Sequence, residues 1–144
     1  MLGRLLLTVD ALGMCFGTIM ADCLNETHMF NPRWRPHAKF HNAQTVFLAI
    51  ILSLITLYYT WRPTTTTTTT TKPQTLQAEL RLRREFLFVA ALSGSIYWIA
   101  GLLSILPPGT MGLDPEFGGP GFPQAKIFVG FMAAGLAGAW LEYP

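Results

Sequence analysis

The chain has 144 residues, is 51% hydrophobic and only 12% charged, and carries a formal net charge of +2. A soluble domain has about twice that charged fraction, and a soluble bundle needs polar helix faces that the apolar runs 43–57 and 86–106 lack. The composition therefore excludes an ordinary soluble domain and predicts an integral membrane protein, with the lipid bilayer as its first partner and no nucleic-acid partner.

Four apolar runs, 5–21, 43–61, 86–106 and about 126–142, hold almost no charge. Each approaches the roughly 20 residues of a spanning helix. They predict an all-α fold, a four-transmembrane-helix bundle forming one domain over 1–144. The first run has one alternative, a cleaved signal peptide beginning at Arg4. Asp10 interrupts its core, and Ile19-Met20-Ala21 is a poor cleavage site, so retention as a helix is expected. Asp10 is an intramembrane acid, expected to pair with Arg4 or a polar partner near the cytoplasmic face. Cys15 and Cys23 would stand about 12 Å apart along a helix, so both are expected as free thiols. Gly13, Gly17 and Ala21 recur every fourth residue, as do Gly130, Ala134 and Gly138 in the last run. This small-xxx-small pattern predicts close packing of the first helix on the fourth; a homo-oligomer through one of these seams is the lesser alternative.

All three histidines lie between the first two runs. Asn31-Pro32 and Arg35-Pro36 predict an irregular loop over 29–36, with Pro36 in the first turn of the second helix. His37 and His41 are then i and i+4 on one helix face, with Gln44 and Thr45 nearby. Asp22 and Glu26 share the same spacing where the first helix ends, so the two pairs are expected to face a common space. Asn25-Glu26-Thr27 is a glycosylation sequon, expected to stay unmodified so near the membrane, with Asn25 and Thr27 bonding the helix end.

The central segment reads differently. Eight consecutive threonines, Thr64 to Thr71, lie between Pro63 and Pro73, and 63–75 is expected to be a disordered linker. Leu76 to Arg84 reads as an amphipathic lead-in to the third span. The third loop, Pro107 to Pro123, is rich in Gly and Pro and predicts turns, with Asp114 and Glu116 inside it. Trp34, Trp61 and Trp140 fall near membrane edges, whereas Trp98 is deep enough to line a pocket. Glu142 is expected simply to sit at the interface.

Six cations, Arg4, Arg62, Lys72, Arg81, Arg83 and Arg84, flank the termini and central loop; four, Arg33, Arg35, Lys39 and Lys126, flank the other two loops. The bias predicts cytoplasmic termini, with loops 22–42 and 107–126 in the lumen of the endoplasmic reticulum. Because these loops share a face, His28, His37, His41, Asp22 and Asp114 are candidate catalytic residues. Asn25, Asn31, Trp34, Gln44, Trp98 and Glu116 are candidate substrate contacts. The histidines suit general acid–base work on a lipophilic substrate. With a carboxylate they also suit an iron or zinc site, so a metal ion is the one cofactor to test.

The string Asp22-x-x-Asn25-x-Thr27-His28-x-x-Asn31-Pro32-x-Trp34-x-Pro36-His37-Ala38-x-Phe40-His41, with Asp114-Pro115-Glu116, resembles an uncharacterised family of small four-span membrane proteins of fungi and bacteria. The size and span count are similar to those of anthrone oxygenases and, more loosely, sterol-isomerase-type four-helix proteins. That likeness implies a lipophilic substrate and a tailoring role in fungal secondary metabolism, but it is one of architecture. The threonine run departs from the shorter central loop the resemblance implies and reads as an insertion. No His-x4-Asp acyl-transfer motif is present.

Two classes of function follow. One is a membrane-embedded tailoring enzyme performing isomerisation, cyclisation or oxygenation. The other is a non-catalytic lipid- or sterol-binding or scaffold protein, whose histidines would have no cavity beside them. Transport is a weaker third class, since few intramembrane charges mark a path.

Overall fold

The computed structural model describes residues 1–63, 73–119 and 121–144. Four helices carry the fold: α1 (Leu2–Thr18), α2 (Pro36–Trp61), α3 (Pro73–Leu103) and α4 (Gln124–Glu142). All four are long and apolar enough to cross a membrane. Each packs on its neighbours in a closed ring, α1 on α2, α2 on α3, α3 on α4 and α4 on α1. No strand occurs among the described residues.

Local chemistry sets the helix limits. Pro36 occupies the first turn of α2, where its missing N–H costs nothing, so the helix starts seven residues before the apolar run. Leu76 to Arg84 is rich in strong helix formers and continues without a break into the third span. The helix begins at Pro73, so the expected linker 63–75 is shorter at its far end, while Thr64 to Lys72 lies outside the described residues. At the other end α3 stops at Leu103 rather than 106, because Pro107 and Pro108 cannot extend a helix and disfavour one just before them. After Thr18 the first helix widens into a π-helical turn, Ile19–Cys23. Such turns are rare and occur most often at functional sites.

The core has two apolar centres. Leu7, Leu87 and Ala90 form one, and Met14, Ala49 and Trp98 the other. Outward positions such as Leu5, Val9, Leu12 and Phe16 on α1 are exposed and apolar, as a lipid-facing surface requires. Small polar residues turn inward instead. Thr18, Ser53 and Thr60 donate to the carbonyls of Met14, Ala49 and Thr56 four residues back, and the Thr56 and Ser93 hydroxyls meet at 2.8 Å between α2 and α3.

α1 and α4 approach closely, but not along the whole small-residue pattern. Their backbones meet at Gly3 and Gly138, where a Cβ on Gly138 would stand 2.6 Å from the Gly3 carbonyl oxygen. Gly13 instead receives the ring of Phe131, and Gly17 and Gly130 face open space.

Two acids differ from expectation. Asp10 does not pair with Arg4. It is fully buried, accepts a 2.6 Å hydrogen bond from Trp98 Nε1, and its Oδ2 lies between Gly94 and Gly135 without a hydrogen-bond partner among the described residues. Glu142 is buried at the opposite end of the bundle, bonded to Arg83 at 3.1 Å and to the Met1 amino group at 2.6 Å, with Arg4 3.7 Å away. The arginine-rich start of α3 and the start of α1 converge on the end of α4, which gives Glu142 a structural role.

Candidate functional site

The first loop is built from short side-chain-to-backbone turns. Asn25 Oδ1 accepts from the Thr27 amide at 2.9 Å, and Asn31 Oδ1 from the Arg33 amide at 3.0 Å. Both are the Asx turns these residues favour. The π-helical turn leaves the carbonyl of Asp22 free to take the Met29 amide at 3.2 Å and Asn42 Nδ2 at 3.1 Å. The loop is thereby tied to α2 through Asn42. Asn25 and Asn31 hold the loop's shape.

This construction carries His28 to the inside of the loop. Its Nδ1 lies 2.7 Å from Thr27 Oγ1 and 3.8 Å from Asp22 Oδ1, and Trp34 meets its ring edge-on at 5.1 Å between centroids. Cations and carboxylates also join the two loops, since Arg33 pairs with Glu116. The third loop contributes a 3-10 turn, Pro115–Phe117, opened by Asp114 and closed by Gly118 at φ +112°. That positive φ is the reason glycine stands there.

Two clefts flank His28. The smaller, about 100 Å³, lies between Thr27, His28 and Trp34 of the first loop and Met111, Asp114 and Phe117 of the third. The larger, about 250 Å³, is lined by Asp22, His28, Tyr97, Gln124 and apolar groups including Ile105, Phe122 and Phe128. His28, Asp22, Trp34 and Asp114 are thus brought together, as the shared face of the two loops predicts. Trp98 lines a third space deeper in the bundle, about 160 Å³ between α1, α3 and α4.

His37 and His41 are placed elsewhere. They are exposed, their Nε2 atoms are 3.1 Å apart, and His41 Nδ1 meets Gln44 Oε1 at 3.3 Å. Phe40 stacks on His37 on the same outward side. They line neither cleft beside His28, and Glu26 is exposed. The expected facing of His37/His41 on Asp22/Glu26 does not occur; Asn42 is the α2 residue that reaches Asp22. Nor do the three histidines assemble a metal site: among the described residues no three His, Cys, Asp or Glu side chains are placed to hold an ion.

A family match covers residues 6–143, nearly the whole chain. The chain belongs to DUF6640, a family of unknown function. No curated protein and no solved structure matches it. Membership in DUF6640 assigns no chemistry to the site.

Two residues of that site were not among the sequence candidates. Tyr97 is one of 18 Phe, Trp and Tyr residues and nothing in the sequence sets it apart, yet it lines both the larger cleft and the deeper cavity. Gln124 does the same. Its Nε2 donates to the Gly112 carbonyl, and its Oε1 is buried without a partner among the described residues. A signal existed for Gln124: it is the uncharged polar residue that opens a helix apolar throughout 127–141.

Proposed function

We propose that the protein is a membrane-embedded enzyme that moves protons on a lipophilic small molecule, by isomerisation or cyclisation. One observation carries the reading: the His28–Asp22 pair, 3.8 Å apart, lines a cleft of about 250 Å³ whose other walls combine apolar side chains such as Ile105 and Phe122 with the polar ones of Thr45, Tyr97, Ser104 and Gln124. A histidine hydrogen-bonded to Thr27, with a carboxylate 3.8 Å from the same ring nitrogen, at the edge of such a cleft suits general acid–base catalysis, worth typically 10²–10⁴-fold in rate. His28 would take and return the proton. Asp22 would orient the imidazole and stabilise its charged form. Asp114, across the smaller cleft, would contact a polar part of the substrate.

The non-catalytic alternative expects histidines with no cavity beside them. His37 and His41, paired on an exposed face, fit that expectation; His28 does not. We also propose that the protein resides in the endoplasmic reticulum with the His28 loop lumenal, supported by the excess of cations at the opposite end. A role in fungal secondary metabolism is part of the proposal, on the architectural likeness to anthrone oxygenases alone.

The test is expression with candidate lipophilic substrates and comparison of product profiles. His28→Ala and Asp22→Asn should lose product by at least about 10²-fold, whereas His37→Ala and His41→Ala should leave it unchanged. An unchanged profile for His28→Ala refutes the catalytic reading.

A further inference from the structure

Between α1, α3 and α4 lies a cavity of about 160 Å³ that the acid–base chemistry does not use. One wall is aromatic. The indole of Trp98 stacks with Phe131 at 5.2 Å and 14°, and Phe128 lies 5.6 Å from it. Asp10 fixes that indole by accepting its N–H at 2.6 Å. Gly17 of α1 lines another side, while Gly13 is covered by the ring of Phe131. Gly17 is exposed, and a Cβ placed on it would meet nothing within 4 Å, so the cavity reaches the bundle surface there, on the lipid side.

The loop-side end of the cavity is polar. Asp22, Tyr97 and Gln124 line both this cavity and the cleft beside His28, so the two spaces share that border. The amide of Gln124 has a determined orientation, because the Gly112 carbonyl can accept only from its NH2 end. The other end, Oε1, is then a buried acceptor without a partner among the described residues. An unpaired buried acceptor is unfavourable, and a ligand's donor would satisfy it. An apolar cavity of about 150 Å³ is large enough to take up benzene.

We infer that this cavity is a binding subsite for an aromatic or similarly flat ring of about benzene size that carries a hydroxyl or N–H at its edge. The ring lies against Trp98 and Phe128, and its donor bonds Gln124 Oε1. This rests on the adjoining cleft being the substrate site. The subsite would place a ring-bearing lipophilic molecule, arriving from the membrane past Gly17, with its next atoms at the Asp22–His28 border.

Photolabelling tests the subsite without requiring turnover. The probe is an aryl-diazirine benzyl alcohol, applied to the full chain in phosphatidylcholine nanodiscs, with its methyl ether as a matched probe lacking the donor. Labelled positions are mapped by mass spectrometry. The alcohol should label the segments carrying Trp98 and Phe128, about fivefold more than the ether, the worth of one neutral hydrogen bond. Gln124→Leu should remove that preference. Gly17→Leu places a side chain in the space and should cut labelling by both probes at least about tenfold. If Gly17→Leu does not fold, the alcohol–ether comparison on the unaltered chain still decides. Equal labelling by the two probes, or labelling confined to lipid-facing residues such as Val9 and Phe16, overturns the subsite. His28→Ala separates the two proposals: it should label as the unaltered chain does. Labelling as expected with no His28-dependent product overturns the acid–base reading alone, and His28-dependent product without this labelling overturns the subsite alone.

Discussion

The same substitution eight residues apart on α4 should have opposite effects. At Gly138 a new Cβ would lie 2.6 Å from the Gly3 carbonyl oxygen and 3.0 Å from the Leu7 amide nitrogen. Both are backbone atoms and cannot swing aside. Restoring ordinary contact at 3.4 Å requires α1 and α4 to separate by roughly 0.8 Å, a gap that forfeits about a quarter to a half of each dispersion contact along the seam. Overpacking of this kind costs about 1–3 kcal/mol, offset by up to about 1 kcal/mol from the better helix propensity of alanine. Gly138→Ala should therefore destabilise by about 1–2 kcal/mol. At Gly130 the new Cβ meets nothing within 4 Å, so only the propensity gain remains and Gly130→Ala should be neutral to about 1 kcal/mol more stable. Reversible unfolding in mixed micelles, followed by helix signal, measures both. Equal stabilities for the two variants, or a more stable Gly138→Ala, would show that α1 and α4 do not meet at Gly3 and Gly138.

Three further outcomes follow from buried polar groups and from the histidines. Trp98→Phe removes the donor to Asp10 Oδ1 and leaves neither carboxylate oxygen partnered, so it should cost about 2 kcal/mol in the same unfolding assay; adding Asp10→Ala should cost less than the sum of the single changes, and strict additivity would refute the coupling. Glu142→Gln should destabilise by roughly 1–2 kcal/mol, less than the ~3–5 kcal/mol of a fully buried pair because Arg4 and Arg83 are 34% and 37% exposed; wild-type stability in the variant would show that the cluster is ornamental. Bound zinc, measured by metal analysis of protein purified with excess zinc, should be unchanged in His28→Ala, since His28 stands apart from the His37–His41 pair; a drop in zinc would show that the three histidines act together.

Apolar length made the four helices readable, because a spanning segment cannot be short or charged. The face of each helix was harder to read, and α2 shows why. A spacing of four residues puts His37 and His41 on one side of a helix without saying which side. The answer lies in Asn42, Val46, Ala49, Ser53, Thr56 and Thr60, the buried stripe of α2. In a lipid-embedded bundle the outside is as apolar as the core, so small and hydrogen-bonding residues mark the interior instead. Stepping that stripe back from Asn42 reaches Lys39, which is half-buried, and passes the histidines by one residue, about 100° around the helix. The two histidines belong to the outer face by the same pattern that brings Asn42 to Asp22.

The α1 end shows the complementary limit. A regular helix through Asp22 and Glu26 would have put those acids on one face, but the helix ends in the π-helical turn Ile19–Cys23, so Glu26 lies beyond it in the loop and is exposed. No residue type in Ile-Met-Ala-Asp-Cys demands such a turn by itself. It is fixed by contacts from afar, the Asn42 side chain and the Met29 amide both closing on the Asp22 carbonyl. The pairing of Asp22 with His28 is therefore a tertiary outcome, and it depends on Asn42. Asn42→Ala should loosen the Asp22 turn and lower His28-dependent product without touching either member of the pair. A variant that keeps full product would show that the π-helical turn holds Asp22 without help from α2.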